Sequence, residues 1–167
     1  MTKVYEGNWL EMHNVDGYEF MNRHRKPKAV DIVALTDDYK LIICRQFRKA
    51  VNNFVWETPA GLVDEGETSK DTAIRELLEE TGYKGTYSHT IEKVCTTPGI
   101  CTETIDIVFI RTCVKISDGG GLKDENEHIE TMLFNPDDDS IFDLQKTGLL
   151  DFKLLYGIEW ARRIKYA

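Results

Sequence analysis

The sequence predicts a mixed α and β fold, with helices packed against an open or partly closed sheet. Three observations carry this: two adjacent β-branched or apolar runs, one strongly periodic helix mid-chain, and helical segments closing the tail. Residues 3–12 and 17–23 read as a polar hairpin around the turn-forming Asp16-Gly17. Val30–Thr36 and Leu41–Phe47 read as strands separated by Asp37-Asp38, and Phe54–Glu57 as a short strand after Asn52-Asn53. The helix comes next: Thr68 and Asp71 approximate a capping box, Ile74, Leu77, Leu78 and Thr81 share a face, and Gly82 is placed to end it. Strands resume near 86–97, 104–116 and 129–134. A short helix is expected around 137–147 and a longer one over 149–165, with Leu150, Leu154, Leu155, Ile158 and Ala161 on its buried stripe.

The chain has 167 residues, enough for a single domain with its own core, expected to span 1–167. Its 41% hydrophobic and 30% charged content excludes a disordered or fibrous chain. A net charge of -8 argues against affinity based on broad contact with nucleic-acid phosphates or anionic membranes. An acidic chain can still bind a phosphate compound when a divalent cation lies between the negative charges. Cys44, Cys95, Cys101 and Cys113 form no C-x-x-C pair, and they read as reduced thiols. With no secretory leader and no apolar run near the roughly 20 residues that cross a bilayer, the expected location is cytoplasmic.

The densest chemistry lies in residues 61–83. Glu76, Glu79 and Glu80 stand at i, i+3 and i+4, so their carboxylates emerge on adjoining parts of one helix surface. Like charges at that spacing repel by a few tenths of a kcal/mol, a penalty that a hard divalent cation removes. Arg75 is placed to orient a carboxylate such as Glu67 through a forked hydrogen bond. Taken alone, E-x-x-E-E is more often a solvated acidic face. The longer pattern decides against that: Gly61, Glu67, then Arg75-Glu76-Leu77-x-Glu79-Glu80-x-Gly82-Tyr83 resembles the Nudix box at every defining position.

The resemblance implies a Nudix hydrolase with the Nudix fold, an α/β/α sandwich around a mixed β-sheet carrying an N-terminal antiparallel hairpin or sheet. Members cleave a nucleoside diphosphate linked to another group by metal-assisted attack of water on phosphorus. Outside the box, Arg45-Gln46-Phe47-Arg48, Glu57-Thr-Pro59-Ala60-Gly61-Leu-Val-Asp-Glu-Gly-Glu67 and Pro98 are similar to the ADP-ribose pyrophosphatase branch. So are Gly7-Asn-Trp9-Leu10 and Tyr18-Glu19-Phe-Met-Asn-Arg23, although Tyr18 stands where the branch usually has tryptophan.

The likeness to that branch implies a set of site residues. Glu76 and Glu80, with Glu79 and the Ala60 carbonyl, would hold Mg²⁺ (or Mn²⁺). Glu67, Arg75, Glu79 and the loop residue Glu127 would serve catalysis, with Glu125 competing for the role of Glu127. Trp9 and Tyr18 would sandwich the base, with Glu19 and Arg23 beside it; Arg48, Gly61 and Pro98 would complete the substrate site. Residues 1–25 would dimerise two copies, each site borrowing residues from its partner, 61–83 would form the box, and 136–167 the C-terminal helices. The bland alternative, that Trp9 and Tyr18 simply pack on the sheet, stays open beside this reading, and Arg45 is left without a role.

The implied reaction is hydrolysis of a nucleoside diphosphate sugar, ADP-ribose first, to AMP and ribose 5-phosphate. GDP-mannose or a UDP-sugar is the competing substrate class. The alternative from another class is a non-catalytic nucleotide sensor, but such domains typically lose box carboxylates and this chain keeps all of them.

Overall fold

The computed structural model describes residues 1–23, 28–121, 128–137 and 141–165. A three-stranded antiparallel sheet opens the chain: β1 (Thr2–Glu6), β2 (Leu10–Val15) and β3 (Tyr18–Arg23), in that order. The expected hairpin is therefore a meander. The Asp16-Gly17 turn is present, with both residues at positive φ, but residues 3–12 divide into two strands at Gly7, whose N–H donates to the Leu10 carbonyl.

The larger sheet contains β4 (Lys28–Thr36), β5 (Leu41–Arg48), β6 (Asn53–Glu57), β7 (Ala60–Leu62), β8 (Tyr83–Cys95), β9 (Thr104–Lys115), β10 (Glu130–Phe134) and β11 (Leu149–Leu150). Its main order is β11-β6-β5-β4-β9-β8, with β10 beside β5 and β7 beside β4. β4 runs parallel to β9 and antiparallel to β5 and β7, so the sheet is mixed. Helix α1 (Ser69–Thr81) covers one face. Helix α3 (Phe152–Lys165) covers the other, and the short α2 (Ile141–Leu144) precedes it.

Alternation along β4 sorts the core into two layers. Val30, Ile32 and Ala34 pack with Ala73 and Leu77 of α1. Val33 and Leu35 pack with Phe109, Leu154, Ile158 and Ala161 on the α3 side. This is the sandwich the sequence predicts. Buried Asp106 braces it by accepting from the Ser69 hydroxyl (2.6 Å) and the Lys93 N–H (3.0 Å) while pairing with Lys28 (2.9 Å).

Three tail expectations need correcting. Of 137–147, helix occupies Ile141–Leu144, with turns beyond it. The long helix begins at Phe152 rather than 149, because Leu149–Leu150 pair in parallel with β6 and Asp151 then caps the helix by accepting the Lys153 N–H (2.7 Å). Leu150 is thus a strand residue, and Leu155 is exposed. The stripe of α1 also differs: Thr72, Ala73, Leu77, Glu80 and Thr81 are buried, whereas Ile74 and Leu78 are half-buried. Among the described residues no helix is long and apolar enough to cross a membrane.

Candidate active site

Helix α1 presents the carboxylates, and its ends are fixed by the residues that the sequence singles out. The Thr68 hydroxyl accepts from the Asp71 N–H, and Gly82 takes the left-handed conformation while its N–H donates to the Leu78 carbonyl. Between these caps Arg75 gathers three glutamates. Its Nε and Nη2 donate to the two oxygens of Glu67, each at 3.0 Å, a bidentate fork. Its Nη1 donates to Glu76 (2.8 Å) and Glu79 (3.1 Å). The fork holds the Glu67 carboxyl down at about 2, helped by the Thr72 hydroxyl, so Glu67 is ionised across the physiological range. The same hydrogen bonds raise the Arg75 pKa.

Glu80 departs from the surface position its spacing suggests. It is buried, and its Oε2 accepts the Ala60 N–H (3.2 Å), which draws α1 against β7. Gly61 is where the two elements come closest: a Cβ there would lie 2.1 Å from the Glu76 carboxyl carbon. The glycine is required by that approach, and the Glu76 head rests against bare backbone as a result.

Ala60, Glu76, Glu79 and Glu80 suit a hard divalent cation by donor chemistry, since all four offer oxygen and three carry charge. The Gly61 cradle fits the same purpose by keeping one carboxylate beside the backbone. Among the described residues no three acidic, His or Cys side chains converge tightly enough to grip one ion as arranged. Glu76 and Glu79 are turned instead to Arg75.

A cleft of about 960 Å³ opens beside these groups. Its walls bring together Ala60, Gly61, Arg75, Glu76, Glu79 and Glu80 with Arg23 and Arg48. Arg48 is held by Glu57 through Nε (3.0 Å) and Nη2 (2.9 Å), and Arg23 by Glu103 (2.6 Å). Glu57 is nearly buried, and desolvation raises its pKa against the pull of Arg48.

Trp9, Tyr18, Glu19 and Pro98 are not among the described residues lining the cleft. Trp9 and Tyr18 are half-exposed, at 50% and 54%, so they are not packed under the sheet within this chain. The Tyr18 hydroxyl donates to the Gly99 carbonyl, and Met21 exchanges backbone hydrogen bonds with the 97–102 loop, which ties the N-terminal sheet to the segment bearing Pro98. Glu127 lies outside the described residues, as does Glu125. Arg45, which the sequence leaves without a role, donates to Glu130 and the Thr147 carbonyl and lies over the Phe54 ring, a structural duty.

Sequence reading missed Asp31. It is fully buried on β4 and lines the cleft; the Thr58 hydroxyl donates to its Oδ1 (2.6 Å), while Oδ2 has no partner among the described residues. Burial pushes its carboxyl up to about 7. The signal was present: Asp31 interrupts the otherwise apolar run Ala29–Leu35, where a carboxylate costs free energy unless something requires it.

Known proteins resemble this chain along most of its length. A family model described as NUDIX domain matches residues 25–147. The ADP-ribose pyrophosphatase of Bacillus subtilis (strain 168) is 33% identical over 136 residues, covering 81% of this chain and 72% of that protein. The methanol dehydrogenase activator of Bacillus methanolicus is 29% identical over 165 residues, covering 95% and 88%. A crystal structure of an ADP compounds hydrolase superposes with a TM-score of 0.66 at 23% identity, covering 97% of this chain and 89% of that one, which establishes the shared fold.

Proposed function

Because the chain belongs to the NUDIX family, whose model spans residues 25–147, we propose that it hydrolyses the pyrophosphate bond of a nucleoside diphosphate sugar, ADP-ribose foremost, to AMP and ribose 5-phosphate. The observation that carries the reading is the Glu67–Arg75–Glu76–Glu79 network, with Glu80 against Ala60, beside a cleft large enough for such a ligand. The pyrophosphatase name of the Bacillus subtilis relative supports the substrate.

Glu76, Glu79, Glu80 and the Ala60 carbonyl would hold Mg²⁺ or Mn²⁺. A divalent ion there supplies charge neutralisation for the diphosphate and acidifies water. The chain's own groups do the rest. Arg75 orients Glu67 by its fork and keeps Glu76 and Glu79 gathered beside it, so the carboxylates are assembled before substrate arrives and a bound ion would draw Glu76 and Glu79 from the arginine. Arg48, steadied by Glu57, presents its guanidinium to phosphate oxygens, and Arg23, held by Glu103 in the same cleft, stands for the base or its neighbouring groups. A glutamate takes the proton of the attacking water, Glu79 of α1 or, as the resemblance implies, Glu127. Gly61 lets the Glu76 carboxylate lie against bare backbone at the cleft wall, where the resemblance also puts substrate, and Pro98 lies in the loop to which Tyr18 is bonded.

Trp9 and Tyr18, with Glu19, would stack and flank the base across a homodimer formed by the N-terminal sheets. Their exposure within one chain supports that placement.

The direct test is release of AMP from ADP-ribose with Mg²⁺, compared in one panel with GDP-mannose and UDP-glucose. Hydrolysis should stop with EDTA. Glu76→Gln should retain the melting temperature and lose turnover by several orders of magnitude; wild-type turnover in that variant at saturating Mg²⁺ would remove Glu76 from the site.

A further inference from the structure

The proposed chemistry uses the α1-side lining of the cleft, with Arg48 and Arg23, and gives the apolar part of the lining no role. That apolar arm lies on the α3 side of the sheet, where Ala29, Ile105 and Ile107 join Val94, Phe152 and Tyr156. Phe152, the first residue of α3, keeps 78% of its surface exposed although it lines the cleft, so a large ring stands uncovered at the entrance. Asp31 belongs to the same wall. Odd-numbered residues of β4 face α3, which places its carboxyl among these apolar groups. Thr58 fixes one oxygen. The other, Oδ2, is buried without a partner among the described residues. Lys153, Asp151 and Glu57 stand near enough to act on it electrostatically, the lysine in one sense and the two carboxylates in the other, yet Lys153 is paired with Asp151 at 2.5 Å and Glu57 with Arg48 at 2.9 Å.

A buried oxygen with no partner costs free energy, so a site retains one where a ligand supplies the missing hydrogen bond. Register sets which part of the ligand that is. Asp31 is directly opposite Ala60 across the β4–β7 pair, and Ala60 donates to Glu80. The donor must therefore belong to a group attached close to the diphosphate, with faces flat or apolar enough to lie against Ile105, Ile107 and Phe152.

We propose that Asp31 is a specificity-determining residue, whose Oδ2 accepts a hydrogen bond from a donor on the edge of a ring that the α3-side arm holds next to the diphosphate. The inference rests on the pyrophosphatase reading and adds a subsite to it. The shared chemistry is a ring with apolar faces and an edge donor. Two parts of the substrate offer it: a hydroxyl of the terminal sugar, which agrees with a base held at Trp9 and Tyr18, or the exocyclic amino group of the base, which would move the base from those aromatics into this arm.

The test, run at pH 8 where the Asp31 carboxyl is ionised and Oδ2 can only accept, uses the chain with Asp31→Asn, which can still accept from Thr58 while offering an amide N–H₂ where an acceptor stood. Three substrates are compared by kcat and KM: ADP-ribose, the analogue lacking the 2-hydroxyl of the terminal ribose, and the analogue whose purine lacks the amino group. Wild-type protein should favour ADP-ribose over one analogue by about 10–100-fold in kcat/KM, the value of a buried hydrogen bond. Asp31→Asn should abolish that preference through KM, with kcat changed less than threefold. Loss of discrimination at the hydroxyl assigns the arm to the sugar, and loss at the amino group assigns it to the base. Unchanged discrimination in Asp31→Asn, or a change confined to kcat, overturns the proposal. Should Asp31→Asn fail to melt cooperatively, Phe152→Ala, at an exposed position, carries the same comparison and should raise KM for ADP-ribose. A wild-type chain inert toward all three substrates would defeat the pyrophosphatase reading instead.

Discussion

Asp31 shows how a single residue exchanges stability for a binding contact. Its carboxyl is pushed up to about 7 by burial, against an ordinary value near 3.8. The consequence for stability has a definite sign. Below about pH 4 the folded and unfolded chains both hold the proton, and the buried carboxyl carries no ionisation penalty. As pH rises toward 7 the unfolded chain releases the proton while the folded chain keeps it, so stability falls; above 7 the whole penalty, on the order of a few kcal/mol, is present. Asparagine cannot ionise. Asp31→Asn should therefore gain melting temperature over wild type at pH 8 and gain little at pH 4.5, measured by calorimetry across that range. A gain independent of pH would show that burial does not hold the proton on Asp31. Glu67 is the opposite case, since Arg75 holds its carboxyl at about 2 and its contribution to stability is lost only as pH falls from the ordinary carboxylate range toward that value.

At the scale of elements, what was legible in the sequence divides according to how local its cause is. Helix α1 was readable to the residue because Thr68 and Gly82 write its ends in side-chain and backbone chemistry. The forked pairing of Arg75 with Glu67 was readable from their spacing as well. The start of α3 was not readable, because Leu149–Leu150 are helix-compatible residues drawn into a strand by β6, whose paired residues lie 94 positions earlier in the chain. The burial of Glu80 was hidden for the same reason: helical spacing says which side chains are neighbours, and only the approach of β7 says which is covered. That approach has a testable consequence at Gly61. A methyl group there would overlap the end of Glu76, a flexible side chain, while the glycine backbone is not in the left-handed region. Gly61→Ala should thus fold with a melting temperature within a few degrees of wild type and lose at least tenfold in kcat as Glu76 is displaced. Full activity together with full stability would show that the Glu76 rotamer at this contact is immaterial to the reaction.

For the molecule as a whole, the arrangement divides labour between two sheets. The large sheet and α1 hold the carboxylates, and the three-stranded N-terminal sheet hangs from the 97–103 loop by Met21, Arg23 and Tyr18. Trp9 and Tyr18 are exposed on it alongside Val4, Tyr5 and Leu10. If these aromatics serve the cleft of a second copy, two crippled chains should repair each other. A Trp9→Ala chain keeps its glutamates, and a Glu76→Gln chain keeps its tryptophan. After subunit exchange, each mixed dimer holds one site with both elements intact and one with neither, so random pairing should restore about a quarter of wild-type activity per chain. The measurement is kcat/KM for ADP-ribose at substrate well below KM, before and after exchange, with sedimentation confirming mixed dimers. Recovery above the Trp9→Ala level would place Trp9 in the partner's site. A mixture that never exceeds the average of its two components would mean that each Trp9 acts within its own chain or only packs, and the N-terminal sheet would then have to be explained by stability alone.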